Sequence, residues 1–216
     1  MEQIEKAAQF ITERITRQLE SGKNVLFFAT GGSSITVVVR MSEILRTLPH
    51  RSLTVTLTDE RYDAINHPDS NWQQLSDKGF VLPEARLIPI LTGDDFLVTT
   101  QKFNTILGQE FTKDSYKIGL FGIGADGHTA GILPGSGAVD SPDLAYGYKT
   151  EKFDRITITP KAIMKLDEAI VFTKGEDKWP TLAKLEEEVN LSEQPAQILK
   201  KVPLLTMFTD YPDSRA

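Results

Sequence analysis

The sequence contains no cysteine, which excludes disulfide bonds and thiol chemistry. Its three histidines are scattered along the chain and form no zinc-binding motif. There is no basic tract, and with a net charge of −6 the chain is not expected to bind nucleic acid. No apolar run approaches the ~20 residues needed to cross a bilayer, and the first ten residues lack the apolar core of a signal peptide. These absences predict a cytoplasmic protein without nucleic-acid or membrane partners.

Segments typical of strands and helices alternate along the chain. Apolar runs predict strands at 24–30, 53–58, 118–123, 155–159, 169–173 and 204–209, and a weaker one at 86–91. Helical spacing predicts helices at 4–19, 35–48, 70–77, 95–111, 180–189 and 195–201, and a short one from Pro160. Residues 135–152 are expected to form a polar, turn-rich excursion. The alternation predicts one α/β domain over residues 1–216, doubly wound, with a mainly parallel sheet and helices on both faces.

Glycines concentrate in one segment, which runs from Tyr116 to Ser136. Seven of the fifteen glycines fall between Gly119 and Gly137, directly after a predicted buried strand. Such density indicates unusual backbone conformations or the close approach of another group. His128 lies in the middle of this segment. Because histidine titrates near pH ~6.5, His128 is a candidate general base at a strand's carboxyl end, with a purely structural histidine as the alternative.

A second glycine turn follows the first predicted strand. Its residues are Gly31, Gly32, Ser33 and Ser34. A strand, a glycine pair and a serine-capped helix start would together present free N–H groups to an anion. An ordinary tight turn accounts for this segment equally well.

Charged residues follow the second predicted strand as Asp59, Glu60 and Arg61. Isolated charges of opposite sign usually form a surface ion pair. Here they come directly off a core strand, where loops tend to carry a site, so we predict that Asp59 and Arg61 are functional. The remaining histidines, His50 and His67, are expected to be a solvated residue and a loop residue.

Several common motifs are absent or weak. Gly122, Gly124 and Gly127 match the dinucleotide pattern G-x-G-x-x-G, but no later strand ends in an acidic residue at the expected distance. There is no Walker A motif and no G-x-S-x-G nucleophile elbow. Nucleotide binding and serine hydrolase chemistry are therefore disfavoured, which leaves a chemistry built on His128, Asp59 and Arg61.

These segments carry a family resemblance. Residues 122–134, GIGADGHTAGILP, closely resemble the G-x-G-x-D-G-H-T-A-S-L-F-P signature of the 6-phosphogluconolactonases. Further matches, in the same order and spacing, are the G-G-S turn at Gly31–Ser34, D-E-R at Asp59–Arg61 with S-N at Ser70 and Asn71, and RITITP from Arg155 with G-x-x-K at Gly175 and Lys178. The resemblance covers nearly the whole chain, and its specific parts are D-G-H and D-E-R.

The resemblance implies a fold shared with sugar-phosphate isomerases and deaminases, and hydrolysis of 6-phosphogluconolactone in the pentose phosphate pathway. In that reaction neutral His128 takes a proton from water, and Asp59 orients the water or the imidazole. Arg61 and N–H groups of the glycine loop stabilise the oxyanion. The 6-phosphate rests on the Gly31–Ser34 turn with Arg155 or Lys178. Loop residues expected to bind substrate are Gly124, Asp126 and Gly127.

The same resemblance implies that no metal or cofactor is required, and we expect a monomer or a small homo-oligomer. Two alternatives stay open: a glucosamine-6-phosphate deaminase and a non-catalytic sugar-phosphate sensor. The deaminases have a glutamate five residues after their histidine and D-E-Y for D-E-R, whereas this chain has Leu133 and Arg61. The chain departs from the lactonase pattern at Asp63, Ala64, Gly131 and Leu133, which places substrate preference in question more than reaction class.

Overall fold

The computed structural model describes residues 1–212, so the last four residues of the predicted domain lie outside it. The strands are β1 (Asn24–Ala29), β2 (Leu53–Leu57), β3 (Asp59–Tyr62), β4 (Arg86–Leu87), β5 (Ser115–Phe121), β6 (Ala145–Lys149), β7 (Asp154–Ile158), β8 (Glu168–Thr173) and β9 (Leu204–Thr209). The α-helices are α1 (Glu2–Glu20), α2 (Ile35–Leu45), α3 (Asn71–Asp77), α4 (Phe96–Thr112), α5 (Pro160–Ile163) and α6 (Trp179–Lys184). Short 3₁₀ helices span Gly32–Ser34, Glu176–Lys178 and Pro195–Lys201.

The main sheet is parallel and has six strands in the order β4-β2-β1-β5-β8-β9. All residues of β1 after Asn24 are buried, and so is every residue of β8. Because successive side chains of a strand point to opposite faces of the sheet, such continuous burial means that both faces are covered. The predicted α/β fold with a mainly parallel sheet is confirmed.

The helices cover this sheet through their apolar residues. Helix α1 buries Ala7, Ala8, Ile11 and Ile15 and packs against α2. On α4, the Phe111 ring stacks on Phe28 of β1 with 5.9 Å between the ring centroids. Among the described residues, no helix is long and apolar enough to span a membrane.

A second sheet was not predicted. It is antiparallel, with the order β3-β7-β6. Strand β3 begins at Asp59, where the sequence predicted a charged loop, and β6 lies inside the predicted excursion. Both strands were missed because they are short, and because charged residues in β3 and Gly147 in β6 interrupt the apolar pattern on which strand prediction depends.

Other boundaries also differ from prediction. Strand β4 contains only Arg86 and Leu87, since Pro89 has no N–H to donate to a ladder. Helix α2 ends at Leu45 and α6 at Lys184, both earlier than expected.

Two side chains were also misjudged. The predicted serine cap of α2 is wrong, because the Ser34 hydroxyl instead donates to the Phe172 carbonyl at 3.0 Å. His50 is buried rather than solvated, with a relative exposure of 1%. Its Nδ1 contacts the Leu48 carbonyl, and its Nε2 accepts from the Glu84 N–H. These two main-chain groups replace water as the partners of the ring nitrogens.

Candidate active site

A polar cleft of about 290 Å³ opens where the parallel strands end. It is lined by Thr30, Gly31, Gly32, Ser33, Ser34, Asp59, Arg61, Asn71, Gly122, Ile123, Gly124, His128, Ala130, Arg155 and Lys178. These residues follow the carboxyl ends of β1, β5 and β8 or belong to β3, β7 and α3. Ligands of open α/β sheets bind at this edge.

His128 is held by a neighbouring carboxylate. Its Nδ1 lies 2.6 Å from Asp126 Oδ1, and its main-chain N–H donates to the same oxygen at 3.1 Å. A carboxylate accepts only, so Nδ1 carries the proton of the neutral ring and Nε2 keeps its lone pair. No hydrogen bond from residues 1–212 reaches Nε2, and the side chain is 36% exposed. The ring is therefore oriented as a proton acceptor in the cleft.

The Asp126 carboxyl has a shifted pKa as a result. Burial acts to raise the pKa of Asp126, but the hydrogen bonds and the charge of His128 outweigh it and lower the pKa below its ordinary value. Asp126 is thus ionised at neutral pH and stabilises a proton on the imidazole.

The glycine loop is shaped to receive this ring. A Cβ on Gly124 would lie 2.2 Å from both Cε1 and Nδ1 of His128, so only glycine fits there. The N–H of Gly124 donates to the His128 carbonyl, and the N–H of Gly127 donates to the Gly124 carbonyl. With the His128 N–H on Asp126, these three donors are used within the loop and are not free for a substrate oxyanion.

Two arginines face each other across the second sheet. In the antiparallel register of β3 and β7, Arg61 lies directly opposite Arg155, and both line the cleft. Like charges at directly opposed positions destabilise a strand pair. The Nε atoms of both arginines are buried and have no hydrogen-bond partner in the described structure. An anion between them would relieve both problems.

The other contacts of these arginines compensate their charge only in part. Arg61 Nη1 donates to the Asp69 carbonyl at 2.8 Å, and its guanidinium lies 5.5 Å from the centre of the Phe153 ring. Arg155 forms an ion pair with Asp59, with 3.7 Å between Nη1 and Oδ2, a distance too long for a hydrogen bond. Asp59 is the single carboxylate in a lining that also contains Lys178. The cleft is therefore locally cationic in a chain of net charge −6.

The predicted site residues converge in this cleft, with the exception of Asp126 and Gly127, which do not line it. Asp126 contacts the imidazole instead, the position considered for Asp59, and no hydrogen bond joins Asp59 to His128 in residues 1–212. Leu133 also lies outside the lining of the cleft. Its apolar side chain is therefore less direct evidence for a lactonase over a deaminase than the sequence suggests.

Asn71 is the lining residue whose importance sequence reasoning underestimated. The sequence indicates it only as the second residue of the S-N pair. The signal that could have identified it is the N-cap Ser70, whose side chain accepts the Gln73 N–H and so begins α3 at the cleft.

The chain was compared with known proteins. Over residues 1–206 it matches the family described as glucosamine-6-phosphate isomerases/6-phosphogluconolactonase. The chain belongs to this family. It is 26% identical over 211 residues to the 6-phosphogluconolactonase of Synechocystis sp., covering 91% of this chain and 86% of that protein.

Solved structures of both branches of the family share the fold. A 6-phosphogluconolactonase from Shewanella baltica matches with a TM-score of 0.81 at 18% identity, covering 96% of this chain and 92% of its own. A monomeric glucosamine-6-phosphate deaminase matches with a TM-score of 0.80 at 19% identity, covering 97% and 93%. Since both activities occur on this fold, the choice between them depends on the residues of the cleft.

Proposed function

We propose that this chain hydrolyses 6-phospho-D-glucono-1,5-lactone to 6-phosphogluconate. The observation that carries the proposal is the tautomer of His128, whose free Nε2 faces a cationic cleft. A neutral imidazole with one nitrogen fixed by a carboxylate is the arrangement that general-base activation of water needs. The curated relative from Synechocystis is named for this activity, and it supports the proposal.

The reaction proceeds in two steps in this proposal. His128 Nε2 takes a proton from water while the water oxygen bonds to the lactone carbonyl carbon, and the carbonyl oxygen becomes an oxyanion. Asp59, 5% exposed, orients the water, and Asp126 stabilises the imidazolium. The ring C–O bond then breaks, the departing alkoxide takes the proton from Nε2, and the open-chain acid is released.

The cations of the cleft divide two tasks. Arg61 stabilises the oxyanion, because the N–H groups of Gly124, Gly127 and His128 are already used within the glycine loop. The Gly31–Ser34 turn receives the 6-phosphate, since the first N–H groups of a helix have no partner inside it. Arg155 and Lys178 add charge there, and Lys178 exchanges its present partner Asp177, 3.1 Å away, for the phosphate.

The deaminase alternative is less well supported by the cleft. Deamination needs ring opening and then proton transfer between two carbons, so several groups must exchange protons in turn. In the described lining, His128 and Asp59 are the groups that could do so. Lactone hydrolysis requires one activated water and one stabilised oxyanion, which these residues can supply.

The test is a hydrolysis assay with 6-phosphogluconolactone, corrected for spontaneous hydrolysis. We expect wild-type turnover well above the spontaneous rate, and a loss of about 10²–10⁴-fold in His128→Ala. Unphosphorylated gluconolactone should be a much poorer substrate, since each lost charge-assisted hydrogen bond contributes about 1.5–3 kcal/mol. Ammonia release from glucosamine 6-phosphate without lactone hydrolysis would falsify the proposal in favour of the deaminase.

A further inference from the structure

Glu60 has no role in the reaction proposed above, although it lies between two residues that do. Side chains alternate along a strand, so in β3 Asp59 and Arg61 face the cleft and Glu60 points away from it. Its relative exposure is 0%. A glutamate is almost never fully buried unless its carboxylate is fully partnered.

The Glu60 carboxylate accepts four hydrogen bonds. Oε1 accepts from the N–H groups of Arg61 at 2.8 Å and Asn71 at 2.6 Å. Oε2 accepts from the Ser70 hydroxyl at 2.9 Å and the Trp72 N–H at 3.1 Å. The N–H groups of Asn71 and Trp72 begin α3 and have no partner within that helix. Glu60 therefore joins β3 to the beginning of α3, about ten residues further along the chain.

All four partners donate, and three of them are main-chain N–H groups that can only donate, so the pocket around Glu60 favours an acceptor. Burial raises the pKa of the Glu60 carboxyl, and the four hydrogen bonds act in the opposite direction. A glutamine of the same shape would offer one acceptor oxygen and would turn an N–H₂ group toward donors. Glu60→Gln therefore keeps the shape of the side chain while it disturbs the hydrogen bonds that join β3 to α3.

Asn71 extends this link to the glycine turn. Its Nδ2 donates to the main-chain carbonyl of Asp59 at 2.9 Å. Within residues 1–212 its Oδ1 has no hydrogen-bond partner, and it lies against Gly31, where a Cβ would be only 1.9 Å from that oxygen. The Asn71 side chain thus fills the space between the strand that carries Asp59 and the turn that follows β1, and any shift of α3 would change that spacing.

We propose that Glu60 is a positioning residue, which through Asn71 fixes Asp59 and Arg61 relative to the Gly31–Ser34 turn. This inference rests on the proposed function. The turn, Arg155 and Lys178 belong to other elements, so loss of Glu60 should leave phosphate binding largely intact and misplace the groups that act on the carbonyl. A misplacement of about 1 Å at reacting groups lowers rates by about 10²-fold.

The chain offers a matched control in Glu168. It is also buried, with 1% exposure, and it accepts from Arg14 Nε and the Tyr116 hydroxyl, both at 2.8 Å. It lies at the start of β8 and does not line the cleft. Glu168→Gln therefore reports the effect of disturbing a buried carboxylate without disturbing the site.

The experiment compares kcat, KM and Tm of wild type, Glu60→Gln and Glu168→Gln with 6-phosphogluconolactone, below the lower Tm. We expect both variants to lose stability, and Glu60→Gln alone to lose about 100-fold in kcat with KM changed less than about threefold. A kcat for Glu60→Gln within threefold of wild type, or an equal loss in Glu168→Gln, overturns the inference. Wild type without lactonase activity overturns the proposed function as well, so the two failures are distinguishable.

A milder pair of variants keeps the inference testable if Glu60→Gln does not fold. Ser70→Ala removes one of the four donors and leaves the carboxylate in place, whereas Ser70→Thr keeps the hydroxyl. We expect kcat to fall about five- to tenfold in Ser70→Ala and to be restored in Ser70→Thr. Equal kcat in Ser70→Ala and wild type contradicts the positioning role.

Discussion

Histidines and arginines at the two ends of the parallel sheet differ in how many of their nitrogens have hydrogen-bond partners. At the amino end, the buried ring of His50 has both nitrogens bonded within the protein, by the Leu48 carbonyl and the Glu84 N–H. At the carboxyl end, His128 has one nitrogen fixed by Asp126 and the other facing the cleft. A histidine whose two nitrogens are both satisfied stabilises the fold, whereas one left half-satisfied is available for proton transfer.

The arginines show the same contrast. Arg14 reaches the buried carboxylate of Glu168 at the start of β8, with 2.8 Å between Nε and Oε2. Arg61 and Arg155 oppose each other, and their Nε atoms lack partners in the described structure. Other buried atoms without a partner belong to neutral side chains. Among residues 1–212, buried guanidinium nitrogens without a hydrogen-bond partner therefore mark the cleft.

The largest effect that tests this contrast is expected from the two histidines. His128→Ala should lower kcat by about 10²–10⁴-fold, because its Nε2 contributes to the reaction. His50→Ala should leave kcat unchanged and cost about 1–3 kcal/mol of unfolding free energy, because the Glu84 N–H loses the acceptor that the buried ring supplies. Urea unfolding and the lactonase assay on both variants measure this, and a common effect on kcat would contradict the contrast.

The second test concerns the arginines in the absence of ligand. Arg14→Ala should cost about 3–5 kcal/mol of unfolding free energy, since it leaves Glu168 buried without its cation. Arg61→Ala should cost much less or even stabilise, because it removes a like-charge pair. Unfolding free energies in urea distinguish the two, and the idea is rejected if Arg61→Ala is as destabilising as Arg14→Ala.

A third and smaller effect is expected when ligand is added. At 100 times its Kd, 6-phosphogluconate should stabilise the wild type by about 2.7 kcal/mol, or roughly 5–10 °C in Tm for a chain of this size. The shift should disappear in Arg61→Ala and Arg155→Ala. It should persist in Arg51→Ala, which removes an exposed arginine near His50. An unchanged shift in all three variants would show that the arginine pair is not the anion site.

The sequence predicts the central strands and the glycine loop of the cleft, but it does not predict the geometry of the site. The central strands were predicted because their buried residues form continuous apolar runs, and the glycine loop was predicted because its composition is so unusual. The register that opposes Arg61 and Arg155 could not be predicted, since it depends on β3 and β7 meeting in a second sheet. Likewise, Asp126 was assigned to substrate because local spacing cannot tell which carboxylate contacts a ring nitrogen.

The smallest effect concerns stability at acid pH. Carboxylates at the two ends of the sheet should affect stability alike, and only the one at the carboxyl end should affect kcat. The pKa of Glu84 is lowered chiefly by the His50 N–H, and that of Asp126, against the effect of burial, by His128. A carboxyl whose pKa is lower in the folded state binds fewer protons there than in the unfolded chain. The stabilisation from this carboxyl is complete above its pKa in the unfolded chain and is lost as the pH falls through its pKa in the folded state.

Glu84→Gln and Asp126→Asn should therefore each be less stable than wild type near neutral pH. The difference in unfolding free energy should shrink as the pH falls below the ordinary carboxyl pKa, which is 4.5 for Glu84 and 3.8 for Asp126. Urea unfolding between pH 3 and pH 7 measures this difference, and a difference independent of pH would contradict the linkage. Only Asp126→Asn should also lower kcat, because an asparagine can turn its N–H₂ group to the ring and reverse the tautomer of His128. If Glu84→Gln lowers kcat equally, the two ends are not functionally distinct.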